Sequence, residues 1–155
     1  MKKWNAEKDE MSFQHSHILV CDNITKKQIL QYTARVNDPL GLLSPVTIKA
    51  KIFLQNLWKR KFTWDEVLSD DANQRWHDIA TDLNLVSSTR FPRYCFKNSD
   101  SQSNNAEKTP QHVFVDASMM SYGAVAYLTR GATTIFVMVK TRVAPLKILT
   151  CLNLS

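Results

Sequence analysis

The sequence has no apolar run near the roughly 18 residues that a membrane-crossing helix needs. Its start, MKKWNAEKDE, is basic but has no apolar stretch behind it. No signal peptide is therefore expected, and an intracellular site, cytoplasmic or nuclear, is the expectation. Cysteine is scarce: Cys21, Cys95 and Cys151 are odd in number and far apart, with no CxxC pair. That spacing supports neither a zinc site nor a disulfide framework, and free thiols in a reducing compartment are expected. Histidine is also sparse, and His15-x-His17 reads as a solvated loop rather than a ligand pair.

What is present is ordinary for a globular chain. The 155 residues are 44% hydrophobic and 22% charged, enough for one domain or parts of two. The charge is uneven. Residues 26–61 carry eight Lys/Arg and one Asp, whereas residues 64–82 carry six acids and a single Arg. A net charge of +6 arranged this way suggests a surface facing a polyanion beside a separate solvated helix.

Periodicity places the elements. Met11 to Gln14 and Ile18 to Val20 are short apolar stretches that together suggest a hairpin. Residues 25–36 read as a helix capped by Thr25, with Ile29, Leu30, Thr33 and Val36 on its apolar side. Asn37-Asp38-Pro39-Leu40-Gly41 is a turn. Residues 45–61 form the clearest helix, with Ser44 as cap and Pro45 in the first turn. Its stripe is Val46, Ala50, Phe53, Leu54, Leu57 and Trp58, and Trp58 and Trp64 are both expected in the core. Lys51, Gln55 and Lys59 share another face, from which lysines can reach phosphates. A third helix, over 69–86, turns Ala72, Trp76, Ile79, Ala80 and Leu83 inward. Residues 97–111 hold no aliphatic side chain but Ala106 and read as a linker. Beyond it the period drops to two: His112–Val115, Tyr122–Leu128 and Thr133–Val139 predict a three-stranded antiparallel meander. The fold class is thus α+β. A meander with an open edge and a bare face predicts marginal stability for the C-terminal part alone.

HVFVDAS, from His112 to Ser118, puts an acid at the end of a strand, ahead of two small residues. By itself this is a turn signal. Three longer stretches add to it: DPLGLLSPVTIKAKIFLQNLWKRKFTWDE from Asp38, HVFVDASMMSYGAVAYL from His112, and KTRVAPLK from Lys140. Together they resemble the polyprotein of BEL/Pao-type LTR retrotransposons, in the region called the Pao retrotransposon peptidase. The resemblance runs from Trp4 to about Thr150.

The resemblance implies a place between reverse transcriptase and ribonuclease H. Residues 1–24 would be the remnant of the palm end, Trp4 matching the tryptophan after the primer grip. Residues 25–96 would be thumb- or connection-like helices, 97–111 a flexible linker, and 112–155 an incomplete ribonuclease H-like domain. Asp116 would be the first catalytic and metal-binding carboxylate, with Mg²⁺ as the family's cofactor. Read from charge, the basic block could hold the backbone of an RNA–DNA hybrid or another duplex non-specifically through Lys49, Lys51, Lys59, Arg60 and Lys61. The remainder of the pol polyprotein would be a partner.

The expected glutamate partner of Asp116 is missing: Ser155 or Asn153 falls at its place, depending on the gap. One carboxylate does not hold two metals, so catalytic incompleteness is expected, with non-specific duplex binding as the alternative activity. Peptidase chemistry is disfavoured, because Asp116-Ala117-Ser118 lacks the glycine of an Asp-Thr/Ser-Gly turn.

Overall fold

The computed structural model describes residues 2–13, 17–18, 23–87, 89–92 and 109–146. Three helices and two antiparallel three-stranded sheets are present in this part, a mixed α+β architecture consistent with a partial ribonuclease H-like fold.

The first sheet joins β1 (Lys2–Asn5), β2 (Glu10–Phe13) and β3 (Arg90–Pro92) in the order β1-β2-β3. Met11 to Phe13 are thus in a hairpin, but their partner is Lys2–Asn5 rather than the Ile18 stretch. Ile18 is instead buried against the helices. Its N–H donates to Asn84 Oδ1 (2.9 Å) and its carbonyl accepts from Asn84 Nδ2 (3.1 Å). Residues from both sides of position 24 therefore share one core. Leu19, Val20 and nearly all of the expected 97–111 linker lie outside the described residues.

Helix α1 (Lys26–Arg35) starts in a capping box. The Thr25 hydroxyl accepts from the Gln28 N–H, and the Gln28 side chain accepts from the Thr25 N–H. Helix α2 (Ser44–Lys59) starts differently from expectation. Ser44 is already helical, and Leu43 at the cap position has no side-chain bond. Asp38 supplies the missing acceptor from the preceding turn, taking the Leu42 and Leu43 N–H groups at 2.9 and 2.6 Å. Helix α3 (Asp70–Ser87) begins with two acids, which suit the positive end of its dipole.

The three helices pack on one apolar cluster that includes Ile29, Ala50, Phe53, Leu57, Trp76 and Leu83. Leu30, expected on the apolar side of α1, is 39% exposed, and Tyr32 packs inward instead. Trp58 and Trp64 are not core residues either. Their rings meet edge-on at 4.9 Å and remain 47% and 41% exposed. Between them sits Lys26, 3% exposed, with its Nζ 4.1 Å and 4.7 Å from the two ring centroids. The same ammonium donates to the Phe62 carbonyl. A cation over two indole faces is attracted to their π density, so this lysine staples α1 to the end of α2.

The second sheet is the predicted meander: β4 (Gln111–Ala117), β5 (Ser121–Arg130) and β6 (Thr133–Val143). The strands run longer than the apolar runs that announced them, and a bulge between Ala126 and Tyr127 shifts the β5–β6 register. The sheet is not left bare. Gln55 of α2 donates to the Ala144 carbonyl (2.6 Å), and the Val139 N–H on the edge of β6 donates to the Leu40 carbonyl (2.9 Å). The Asp38–Gly41 turn thereby blunts one sheet edge.

Candidate functional site

Asp116 lies next to the last residue of β4, as the HVFVDAS pattern predicts. It pairs across the sheet with Gly123, which pairs with Thr141. A Cβ on residue 123 would stand 3.1 Å from Thr141 Cγ2 and 3.2 Å from the Lys140 carbonyl. Glycine here keeps a notch beside the carboxylate. On that face a depression of about 300 Å³ is lined by Ile48 of α2 with Phe114, Asp116, Val125 and Thr141. On the opposite face a depression of about 500 Å³ is lined by Val115, Ala117, Tyr122, Ala124, Lys140 and Arg142.

Asp116 Oδ1 accepts the Ala117 N–H at 2.9 Å. Asp116 is the sole acid between residues 109 and 146. Among the described residues no group of three His, Cys, Asp or Glu side chains comes together. This donor set does not fit a pair of Mg²⁺ ions, which need several carboxylates besides phosphate oxygens. His15 lies outside the described residues.

The five basic residues singled out in the sequence do not share one helix face. Lys49 points to α3 and pairs with Asp82 at 2.9 Å, a half-exposed contact worth under about 1 kcal/mol. Lys51 lies on the other side. It lines a cleft of about 170 Å³ with Asp38, Gly41, Lys140 and Thr141. Lys59, Arg60 and Lys61 cluster at the exposed end of α2, where the Arg60 guanidinium lies 5.8 Å from the Phe62 ring. Two cations that went unmarked in the sequence, Lys140 and Arg142, line the depression on the other face of the Asp116 strand. Their signal was a Lys-x-Arg spacing inside a strand, which puts both side chains on one face. Lys140 lines both its own face's depression and the cleft that holds Lys51. Asp38, the acid in that cleft, is already engaged by two backbone N–H groups. The surroundings of the β6 edge are therefore suited to an anion.

No described helix is long and apolar enough to cross a membrane. No curated protein and no solved structure matches the chain significantly. Residues 25–154 match the family described as the Pao retrotransposon-like RNaseH-like domain. The match takes in the three helices as well as the second sheet, and the chain belongs to this family.

Proposed function

We propose that this member of the Pao family is the part of a retrotransposon pol polyprotein that follows reverse transcriptase, and that it holds nucleic-acid duplex without cutting it. The ancestral duplex would be the RNA–DNA hybrid of reverse transcription. One observation carries the reading: the remnant acid Asp116 has no companion carboxylate among the described residues of its sheet, while Lys140 and Arg142 line the depression on the other face of its strand and Lys51 joins Lys140 in the cleft beside β6. Such a surface can bind phosphates but cannot position two metal ions. Lys59, Arg60 and Lys61 extend the cationic surface along α2, and Lys49 adds to it less because Asp82 offsets its charge.

The test is binding of a fluorescent RNA–DNA hybrid across a salt series. Affinity should fall steeply with salt, because each phosphate neutralised releases counterions and steepens the log–log slope by about 0.9. Exchanging Lys51, Lys140 and Arg142 together for Ala should flatten that slope by about 2 to 3. Binding unchanged between low and physiological salt would count against the reading. In the same assay with Mg²⁺ the hybrid strands should stay intact. Cleavage that disappears in Asp116→Asn would sink the non-cutting half of the proposal.

A further inference from the structure

The last turn of α2 and the bend after it hold Trp58 and Trp64 side by side, each close to half exposed. Indoles bury well, so two bare ones in edge-to-face contact form an apolar patch of the kind that marks a binding surface. Every group that builds this patch lies between residues 25 and 66, in the helical part. It therefore does not depend on the edges or faces of the second sheet.

The two rings are held firmly. Helix α2 ends in a Schellman turn, in which the Lys61 N–H donates to the Trp58 carbonyl (3.0 Å) and the Phe62 N–H to the Leu57 carbonyl (3.3 Å). The turn folds the chain back toward α1. There the Trp64 carbonyl accepts the Lys27 N–H (3.2 Å), and Glu66 Oε2 accepts the Thr63 N–H (2.8 Å). The buried Lys26 ammonium covers one side of both rings. The remaining ring surface is bare and already positioned, which spares a ligand the ordering of two large side chains.

The charge beside the rings suits a polyanion. Lys59, Arg60 and Lys61 are exposed, and among the described residues none of the three pairs with a carboxylate. The two acids of the bend are engaged elsewhere, Asp65 by Lys27 at 3.6 Å and Glu66 by Thr63. Lys61 also has φ +59°, the left-handed position at a helix end where glycine is ordinary. A side chain is strained there, and strain of this kind gathers at ligand surfaces. The chain thus carries a third cation beside the rings where glycine would relax the turn.

We propose that Trp58 and Trp64 form a stacking platform for the unpaired bases of a single-stranded nucleic acid, with Lys59, Arg60 and Lys61 on its phosphates. Such binding needs a bare aromatic face next to cations that follow the backbone, and it tolerates any sequence because every base has a π face. A duplex does not satisfy the rings, because paired bases offer their edges in the grooves and keep their faces stacked. The platform lies about two turns further along α2 than Lys51. It goes beyond the duplex reading, which is carried by the cleft and depression around β6.

The test is titration of the full chain with an oligothymidylate, followed by tryptophan fluorescence. The matching oligouridylate, run alongside, separates DNA from RNA as the source, and binding of either supports the proposal. An abasic strand of equal length keeps every phosphate and loses every base, so it should bind at least about tenfold more weakly. Log affinity for the intact strand should fall with log salt at a slope of about −2, and changing Lys59, Arg60 and Lys61 to Ala should remove most of that slope. Trp58→Ala and Trp64→Ala should each weaken strand binding about tenfold and leave duplex affinity unchanged. Both rings also pack on Lys26, so a readout on the unaltered chain accompanies these variants: a strand carrying iodouracil should photo-cross-link to the peptide that holds Trp58 or Trp64. Exchanging Lys51, Lys140 and Arg142 for Ala should weaken duplex binding and spare strand binding, so either reading can fail alone. No strand binding, an abasic strand bound as tightly, or cross-links confined to other peptides would overturn the proposal. So would self-association through the rings, seen as concentration-dependent sedimentation that Trp58→Ala abolishes.

Discussion

Exchanging Trp76 for alanine is expected to destabilise the helical half by about 3–5 kcal/mol. The ring is 1% exposed and lies near-parallel to Tyr32 of α1 and Phe53 of α2, each at 6.3 Å. Among the described residues it is the largest fully buried side chain, and it brings α3 into contact with both other helices. Its loss leaves a cavity that three packed helices fill only in part. Set against the roughly 5–15 kcal/mol that stabilises an ordinary domain, this loss brings the chain near the edge of unfolding. Urea melts followed by far-UV circular dichroism would measure it, and a midpoint shift worth less than about 1 kcal/mol would contradict the assignment. Trp76→Phe should cost far less. It keeps most of the apolar volume, and among the described residues the buried Trp76 Nε1–H has no acceptor to lose.

Gly41→Ala is expected to cost about 2–5 kcal/mol and to part the helices from the second sheet. Gly41 has φ +76°, where a Cβ is disfavoured by roughly 1–2 kcal/mol. The added carbon would also stand 1.9 Å from the Val139 carbonyl oxygen, inside any tolerable contact. Something must move, and what moves is the seam where the Leu40 carbonyl receives the Val139 N–H. Hydrogen exchange at the Val139 amide should accelerate markedly in the variant, while the core of the helices holds its protection. Gly131 provides the control. It too has positive φ, +56°, but a Cβ there meets nothing within 4 Å. Gly131→Ala should therefore show only the conformational cost, about 1 kcal/mol. Equal effects at the two glycines would mean that the turn does not bear on β6 as described.

The correct and incorrect expectations divide by the range of the interactions behind them. Thr25 was legible as a cap because its partner, Gln28, is three residues away. Ser44 was misread as a cap because the true acceptor, Asp38, reaches back over a turn that local statistics do not resolve. The inward face of α3 was legible because Ala72, Trp76, Ala80 and Leu83 recur at helical spacing. Trp58 followed the same rule and stayed half outside, because Lys26, distant in sequence, draws it and Trp64 into a cage. Lys26 shows the same limit in the charge count. It belongs to the basic block, yet it is nearly buried and adds little to a surface for anions.

By itself the sequence determined the α+β order of elements, the three-stranded meander, the position of Asp116 at a strand end and the absence of any second acid on that meander. These depend on spacing between neighbours along the chain, where periods of 3.6 and two are imposed by backbone geometry. Only the tertiary structure decided which residues meet across long loops. It split the lysines of α2 between α3 and the cleft beside β6, and it set Lys140 and Arg142 together on the face of the sheet opposite the Asp116 carboxylate. It seated Gly41 on Val139. Those outcomes follow from close packing of whole elements, in which one helix face is taken by apolar partners and the polar side chains settle where space and an opposite charge remain.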